Sequence, residues 1–396
     1  MTIYSRYKVP VIINAKGTAT RLSGGLMRSE VSAAMVEASR HCVDMAELQA
    51  AASREIAKVT GAEAGYVASG ASACLMLAAA ACLSKFDLGR MARLPDTGGV
   101  RNEIIVVRSQ RNFYDHALRA AGAKLVEVGL PDRYAGAGVR DAEAWELEDA
   151  ITPNTVALFH VADDNSQPSL KEVVRVAHKH KLPVIVDAAA QLPPQANLRR
   201  FITEGADLVA FSGGKALGGP QASGFLAGRR DLIMSAALQH LDLDVYEDHW
   251  LPPPSLIDRH KLKGIPPHGI GRSCKAGKEE IIGLLEALRL FVAEGDEARY
   301  KVWTDRLSRM QSELGRLKGV TMSCNTNGPV PVLELALDRS LDAGAVALHL
   351  QTGKTPVYVD ASLRNRNMLV INPMCFSNEQ VAMLCTALKT IFKSQK

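Results

Sequence analysis

The sequence predicts an α/β fold: a mostly parallel central sheet covered by helices on both faces, followed by a smaller α+β C-terminal domain. Three observations carry this reading. Apolar, β-branched runs alternate with amphipathic stretches through the middle third of the chain. Several of these runs stop on an acid or a glycine-rich loop, where a parallel sheet presents its ligand-binding edge. After about residue 250 the proline-rich WLPPPSLI breaks the alternation, and a long amphipathic stretch and shorter runs follow.

Taken in order, the run EIIVV is a buried strand, RNFYDHALRAAGA (111–123) a helix ending near Gly122, and KLVEV (124–128) the next strand. DAEAWELEDAI (141–151) is helical and TVALFHV (155–161) a strand. Ser169 opens a helix through His180, with Glu172 completing a capping box. PVIVD (183–187), DLVAF (207–211) and SGFLAG (223–228) are strands. GKEEIIGLLEALRLFVAEG (277–295) is a long amphipathic helix. VPVLELAL (330–337), TPVYV (355–359) and MLVINP (368–373) are strands of the last domain, and NEQVAMLCTALKTIFK is a final helix with Ser377 and Gln380 as its capping box.

The 396 residues suit two packed domains. We place an N-terminal segment at 1–44, packed on the small domain or on a partner subunit, a large domain at 45–260 and a small one at 261–396. With 47 basic and 42 acidic residues the net charge is +5, which permits anionic substrates without calling for nucleic acid. Seven cysteines are scattered without a C-x-x-C pair, which argues against a disulfide framework or a metal site and for reduced thiols. The first residues lack the apolar core of a signal peptide, and the longest apolar stretch, ACLMLAAAACL (73–83), is too short to cross a bilayer. A cytoplasmic protein without nucleic-acid or membrane partners is expected.

Three features at expected strand ends carry chemistry. Ser69, Gly70, Ala71 and Ser72 form a turn of small residues leading into an apolar helix. Backbone amides there can approach an anion closely, aided by the helix dipole, although the same turn could simply start a buried helix. Asp187 ends PVIVD, and the Pro193–Pro194 pair leaves it no obvious helix to cap. It suits a protonated ring nitrogen, and the small Ala188 and Ala189 let a flat ring lie against the backbone.

The third feature is FSGGKALGGPQASG (211–224), where Lys215 stands among glycines, serines and a proline. An ammonium near burial loses charge, and the neutral amine attacks aldehydes to form a Schiff base. A plain phosphate-binding lysine is the competing reading. An anion cradle, a carboxylate for a ring nitrogen and an amine for an aldehyde are complementary to pyridoxal 5′-phosphate (PLP), with Ser212 adding a hydroxyl to the phosphate.

Asp187-Ala-Ala-Ala and Ser212-Gly-Gly-Lys215-x-Leu-Gly-Gly-Pro-Gln221 resemble the fold type I PLP enzymes. More narrowly, they resemble the bacterial selenocysteine synthase superfamily, with its shorter ammonia-lyase-like branch. The likeness runs from Ile13-Asn-Ala-Lys-Gly17 through TGAEAGYVASGASA (60–73) to GIGRSCKAGKEE (269–280).

The resemblance implies the aspartate aminotransferase-like fold and a homodimer or higher homo-oligomer. It makes Lys215 the Schiff-base lysine and Asp187 the pyridinium partner, with Ser69 to Ser72 and Ser212 on the phosphate. It also sets Gln110, Arg111 and His116 over or beside the ring, although His116 reads equally as a helix-surface residue. The core motif begins at residue 13, without the N-terminal tRNA-binding domain of the selenium transferases, so tRNA is not an expected partner.

Arg272, Lys275 and Arg364 are candidates for binding a substrate carboxylate or phosphate, with Lys278 read as part of a solvated helix start. Trp250 is read as packing the hinge. The expected reaction on an amino acid or amino sugar acid is α-proton abstraction by Lys215 and β-elimination, releasing ammonia and a 2-keto acid. Racemisation or epimerisation, transamination, and selenium transfer on seryl-tRNA remain the alternatives.

Overall fold

In the computed structural model, which describes residues 2–130 and 141–394, the chain divides into two compact units. The larger comprises Ser29–Gly213 and Ala222–Val292; the smaller comprises Met1–Arg28, Gly214–Gln221 and Ala293–Lys396. In chain order the strands are β1 (Ile13–Ala15), β2 (Ala64–Ala68), β3 (Glu103–Val107), β4 (Lys124–Val128), β5 (Thr155–Val161) and β6 (Val184–Asp187). They continue with β7 (Leu208–Ser212), β8 (Gly224–Gly228), β9 (Val320–Asn325), β10 (Val332–Leu337), β11 (Val357–Val359) and β12 (Met368–Ile371).

The larger unit holds a seven-stranded sheet in the order β2-β8-β7-β6-β5-β3-β4. From β7 to β4 all neighbours are parallel, and β8 runs antiparallel to both β7 and β2. Strands β2, β3 and β8 are buried at every residue, which is why β2, β8 and β3 after Glu103 read as apolar or small-residue runs; the Glu103 carboxylate is paired with Lys124 and Thr152. The Ala71–Ser84 helix is buried from Ala73 to Ser84. Its alanines leave no preferred outer face, so it is a core helix packed against other elements all round. The capping box on the Leu170–Lys179 helix forms as expected, with the Ser169 N–H donating to Glu172 Oε2 at 2.9 Å.

One element departs from its expectation. The 111–123 segment is a 3₁₀ turn (Phe113–Asp115) and a short helix, His116–Ala120, instead of one continuous helix. The Asn112 side chain accepts from the Tyr114 N–H and caps the turn, while the buried Asp115 carboxylate gathers Arg111 and Arg119. A local side-chain acceptor has displaced helical backbone pairing in the first turn.

In the smaller unit, β9, β10 and β12 form an antiparallel sheet, and β1 pairs in parallel with β11. Strand β10 alternates half-buried and buried residues, its Leu333, Leu335 and Leu337 joining Met310, Val346, Leu384 and Leu388 in the core. The long Lys278–Leu314 helix is broken at Gly295, where φ is 73° and ψ 167°. Residues 261–292, set in the small domain by the sequence reading, belong with the larger unit. The reason is local: the backbone at Gly269 and Gly271 lies against Gln239, where a Cβ would come within 2.4 and 2.7 Å.

Candidate active site

The larger unit brings several of the sequence-marked residues to one edge of its sheet. Asp187 ends β6 and is half-buried; its Oδ1 accepts from the Ala189 N–H at 3.0 Å, while the Ala188 N–H goes to the Ala210 carbonyl. Asp187 stands opposite Ala210 of β7, two residues before Ser212. Ser212 stands opposite Gly224 of β8. Gly224 in turn abuts the Gly70–Ala71 turn: a Cβ there would lie 2.5 Å from the Gly70 carbonyl carbon and 2.6 Å from the Ala71 nitrogen. Asp187, Ser212 and the Ser69–Ser72 turn therefore follow one another along neighbouring strand ends.

The turn presents bare backbone. Gly70 has φ 139°, and among the described residues nothing lies within 4 Å of where its side chain would point and no side chain caps the following helix. The amides of Ala71, Ser72 and Ala73 have no acceptor within the helix, so they are available to a phosphate together with the dipole of a 14-residue helix. The Ser69 N–H has another use, donating to the Cys274 carbonyl at 3.2 Å. Ser69 thus ties the start of the turn to the Cys274 carbonyl through its backbone.

Gln110 follows β3 and is fully engaged. It accepts from the Val161 N–H at 2.9 Å, donates to Ser166 Oγ at 3.2 Å and lies 3.4 Å from His160 Nδ1. His160 is buried on β5, and burial pushes its pKa down to about 4 against the opposing pull of Asp163. Beside Gln110, Ser109 Oγ is buried without a hydrogen-bond partner among the described residues. A buried hydroxyl of this kind is costly unless something accepts or donates there. Neither His160 nor Ser109 stood out in the sequence, since a histidine within a strand and a serine after one carry no motif. His116 lies on the surface, 3.0 Å from an Arg119 nitrogen.

Lys215 follows Ser212 by three residues and belongs to the Gly214–Gln221 stretch of the smaller unit. It is half-buried, and its carbonyl accepts from the Gly218 N–H at 3.0 Å to close a turn. Within that unit Gly24 backs this stretch: a Cβ at Gly24 would come within 2.6 Å of the Gly214 carbonyl oxygen and 2.5 Å of Gln221 Oε1. Asn14 of β1, buried, donates to the carbonyls of Gly17 (3.0 Å) and Gly24 (2.7 Å). The INAKG motif thus works as the brace of the Gly24 turn.

Of the residues marked for substrate, Arg272 and Lys275 line a cleft of about 410 Å³ in the larger unit, with Ser69, His240, Asp242 and Glu280. The Arg272 fork is already engaged, donating to the His240 carbonyl at 2.8 Å and pairing with Asp242 at 2.7 Å. Lys275 is exposed, and Lys278 pairs with Glu279 at 2.8 Å. Arg364 lies in the smaller unit, donating to the Ala361 carbonyl at 3.5 Å. Trp250 is buried, with the Arg259 guanidinium 5.2 Å from its ring centre.

Residues 12–244 match the family described as L-seryl-tRNA selenium transferase (SelA). The chain belongs to this family. Relatives of this SelA-family chain include the D-glucosaminate-6-phosphate ammonia lyase of Salmonella typhimurium, 27% identical over 98% of this chain and 97% of that protein. A 5′-C-glycyluridine monooxygenase-decarboxylase of a Streptomyces species is 29% identical over 94% of this chain and 88% of its own. The L-seryl-tRNA(Sec) selenium transferase of Actinobacillus pleuropneumoniae is 32% identical, but over 46% of this chain and 39% of that one.

Among solved structures, D-glucosaminate-6-phosphate ammonia-lyase superposes with a TM-score of 0.82 at 26% identity, covering 100% of this chain and 99% of that one. A cysteine desulfurase from Thermococcus onnurineus, at 18% identity and a TM-score of 0.55 over 100% and 99%, shares the fold. The fold is that of the fold type I PLP enzymes. No helix among the described residues is long and apolar enough to cross a membrane.

Proposed function

We propose that this chain is a PLP-dependent lyase that acts on an amino acid or amino sugar acid and releases ammonia and a 2-keto acid. The observation that carries this reading is the end-to-end likeness to an ammonia lyase, in sequence and in fold. The amides after Gly70, which have no acceptor within their own helix, support the cofactor assignment. PLP, when bound, supplies an aldehyde for an amine and a ring that takes up the electron pair left at the substrate α-carbon.

Lys215 would hold the aldehyde carbon, Asp187 the ring nitrogen, Ala189 one flank of the ring, and Ala71 to Ala73 with Ser212 the phosphate. The Lys215 amine takes the α-proton at Nζ, a role open to a neutral lysine. Asp187 keeps the ring nitrogen protonated through its charge. For a 3-hydroxy amino acid, one water lost and one taken up would balance overall to a 2-keto acid and ammonia. Arg272 and Lys275 offer cations for a substrate anion, Arg272 after exchanging its Asp242 partner. A homo-oligomer is part of this reading, by resemblance.

The relative named as a monooxygenase-decarboxylase supports a second reading, oxidative decarboxylation of a glycyl group by dioxygen. The test is to incubate purified protein with PLP and candidate amino sugar acids and 3-hydroxy amino acids, following ammonia, 2-keto acid, carbon dioxide and dioxygen. Ammonia and keto acid in equal amounts, without dioxygen uptake and abolished in Lys215→Ala, are expected. Dioxygen consumption matched by carbon dioxide would replace the lyase reading with the second one. A borohydride-reduced protein without a pyridoxyl group on Lys215 would end both.

A further inference from the structure

The amide that anchors the anion-binding turn is itself held by a buried relay. Tyr66 on β2 and His240 at the end of the Arg230–His240 helix are both buried, their rings edge-to-face with centroids 5.3 Å apart. The Tyr66 hydroxyl lies 2.8 Å from His240 Nδ1, and His240 Nε2 lies 2.9 Å from the Cys274 carbonyl oxygen. A carbonyl can only accept, so Nε2 carries the proton and Nδ1 accepts from the tyrosine. The same Cys274 oxygen takes the Ser69 N–H at 3.2 Å. Its two lone pairs therefore join the histidine to the residue before Gly70.

The segment carrying Cys274 is fastened to the same helix end at two further points. Arg272 donates to the His240 carbonyl at 2.8 Å, and the Ile270 N–H reaches Gln239 Oε1 at 3.2 Å. Gly70, at φ 139°, has no side chain to fix the turn, and none among the described residues caps the helix that follows. The Ala71–Ala73 amides are thus positioned by the Gly224 backbone on one side and by the Ser69 amide on the other. We propose that His240 is a positioning residue for the phosphate-binding turn, acting through the Cys274 carbonyl on the Ser69 amide.

This assignment rests on the PLP reading. It makes one distinguishing demand: loss of the relay weakens binding of the phosphate and leaves the ring and aldehyde contacts alone. PLP and pyridoxal, which lacks the phosphate, separate the two. Full-length protein freed of cofactor is titrated with each by absorbance, as wild type, His240→Leu, His240→Gln and Tyr66→Phe. His240→Leu is expected to weaken PLP about tenfold, the worth of one well-buried hydrogen bond, while pyridoxal stays within about twofold. His240→Gln keeps an N–H for Cys274 and holds PLP within about threefold of wild type.

Equal losses for PLP and pyridoxal in His240→Leu, unchanged PLP affinity, or a glutamine variant as weak as the leucine one would overturn the assignment. Should the leucine variant not fold, Tyr66→Phe keeps the ring volume and carries the test, with PLP weakened and pyridoxal unchanged expected, and unchanged PLP overturning it. A wild type that fails to bind PLP would overturn the cofactor reading and this one with it. A wild type that binds PLP beside an equally tight His240→Leu would overturn this one alone.

Discussion

Gly224 sits against Gly70 so closely that a Cβ on the first would lie 2.5 Å from the carbonyl carbon of the second. One strand start and one helix start thereby share a space that admits only backbone. The same glycine faces Ser212 across the β7–β8 pair, so three separated pieces of sequence meet there.

Gly224→Ala forces these apart. The substitution is expected to cost about 1–3 kcal/mol of stability through overpacking and to weaken PLP by displacing the Ala71 amide. Urea unfolding and a PLP titration measure both. An alanine variant with wild-type values for each would mean that the turn is far softer than this contact implies.

Asn14→Ala leaves the buried carbonyls of Gly17 and Gly24 without their donor. A loss of about 1–3 kcal/mol is expected from the unpaired groups. The Gly24 turn lies against Gly214 and Gln221, so amide exchange at Gly218 should quicken. Hydrogen exchange of the 211–224 peptide reads this directly, and unchanged protection would detach the INAKG motif from the lysine loop.

Stability should rise with pH between about 5 and 6.5. Burial holds both His160 and His240 at about 4, below the ordinary histidine value, so in this window the unfolded chain binds more protons than the folded one. The stabilisation from keeping them neutral is fully present above the unfolded value. It is lost as pH falls toward the folded one, by at most about 1.4 kcal/mol per pH unit for each histidine. Urea midpoints across this range should flatten in His160→Gln relative to wild type. Parallel pH profiles would refute the contribution of His160.

Gly295→Ala tests the break in the Lys278–Leu314 helix. The glycine has φ 73° and ψ 167°, a conformation closed to other residues, and nothing among the described residues lies within 4 Å of the missing side chain. Backbone strain alone should then cost about 1–3 kcal/mol. A variant as stable as wild type in urea would show that the helix can run through the break at no cost.

The sequence by itself determined the parallel strands, the small-residue turn, the acid ending β6, the glycine-flanked lysine and the Ser169 capping box. Each is written in a window of a few residues, as an apolar period, a missing side chain or a cap spacing, and such signals need no distant partner. Tertiary structure decided what those residues hold. The Ser69 amide goes to Cys274, the Arg272 fork goes to Asp242 and the His240 carbonyl, and Tyr66 meets His240 across 174 positions of sequence. The helix expected over 111–123 likewise yielded to Asp115 and its two arginines. A hydrogen-bond donor or a guanidinium has several acceptors open to it by chemistry alone, and packing of remote segments chooses among them.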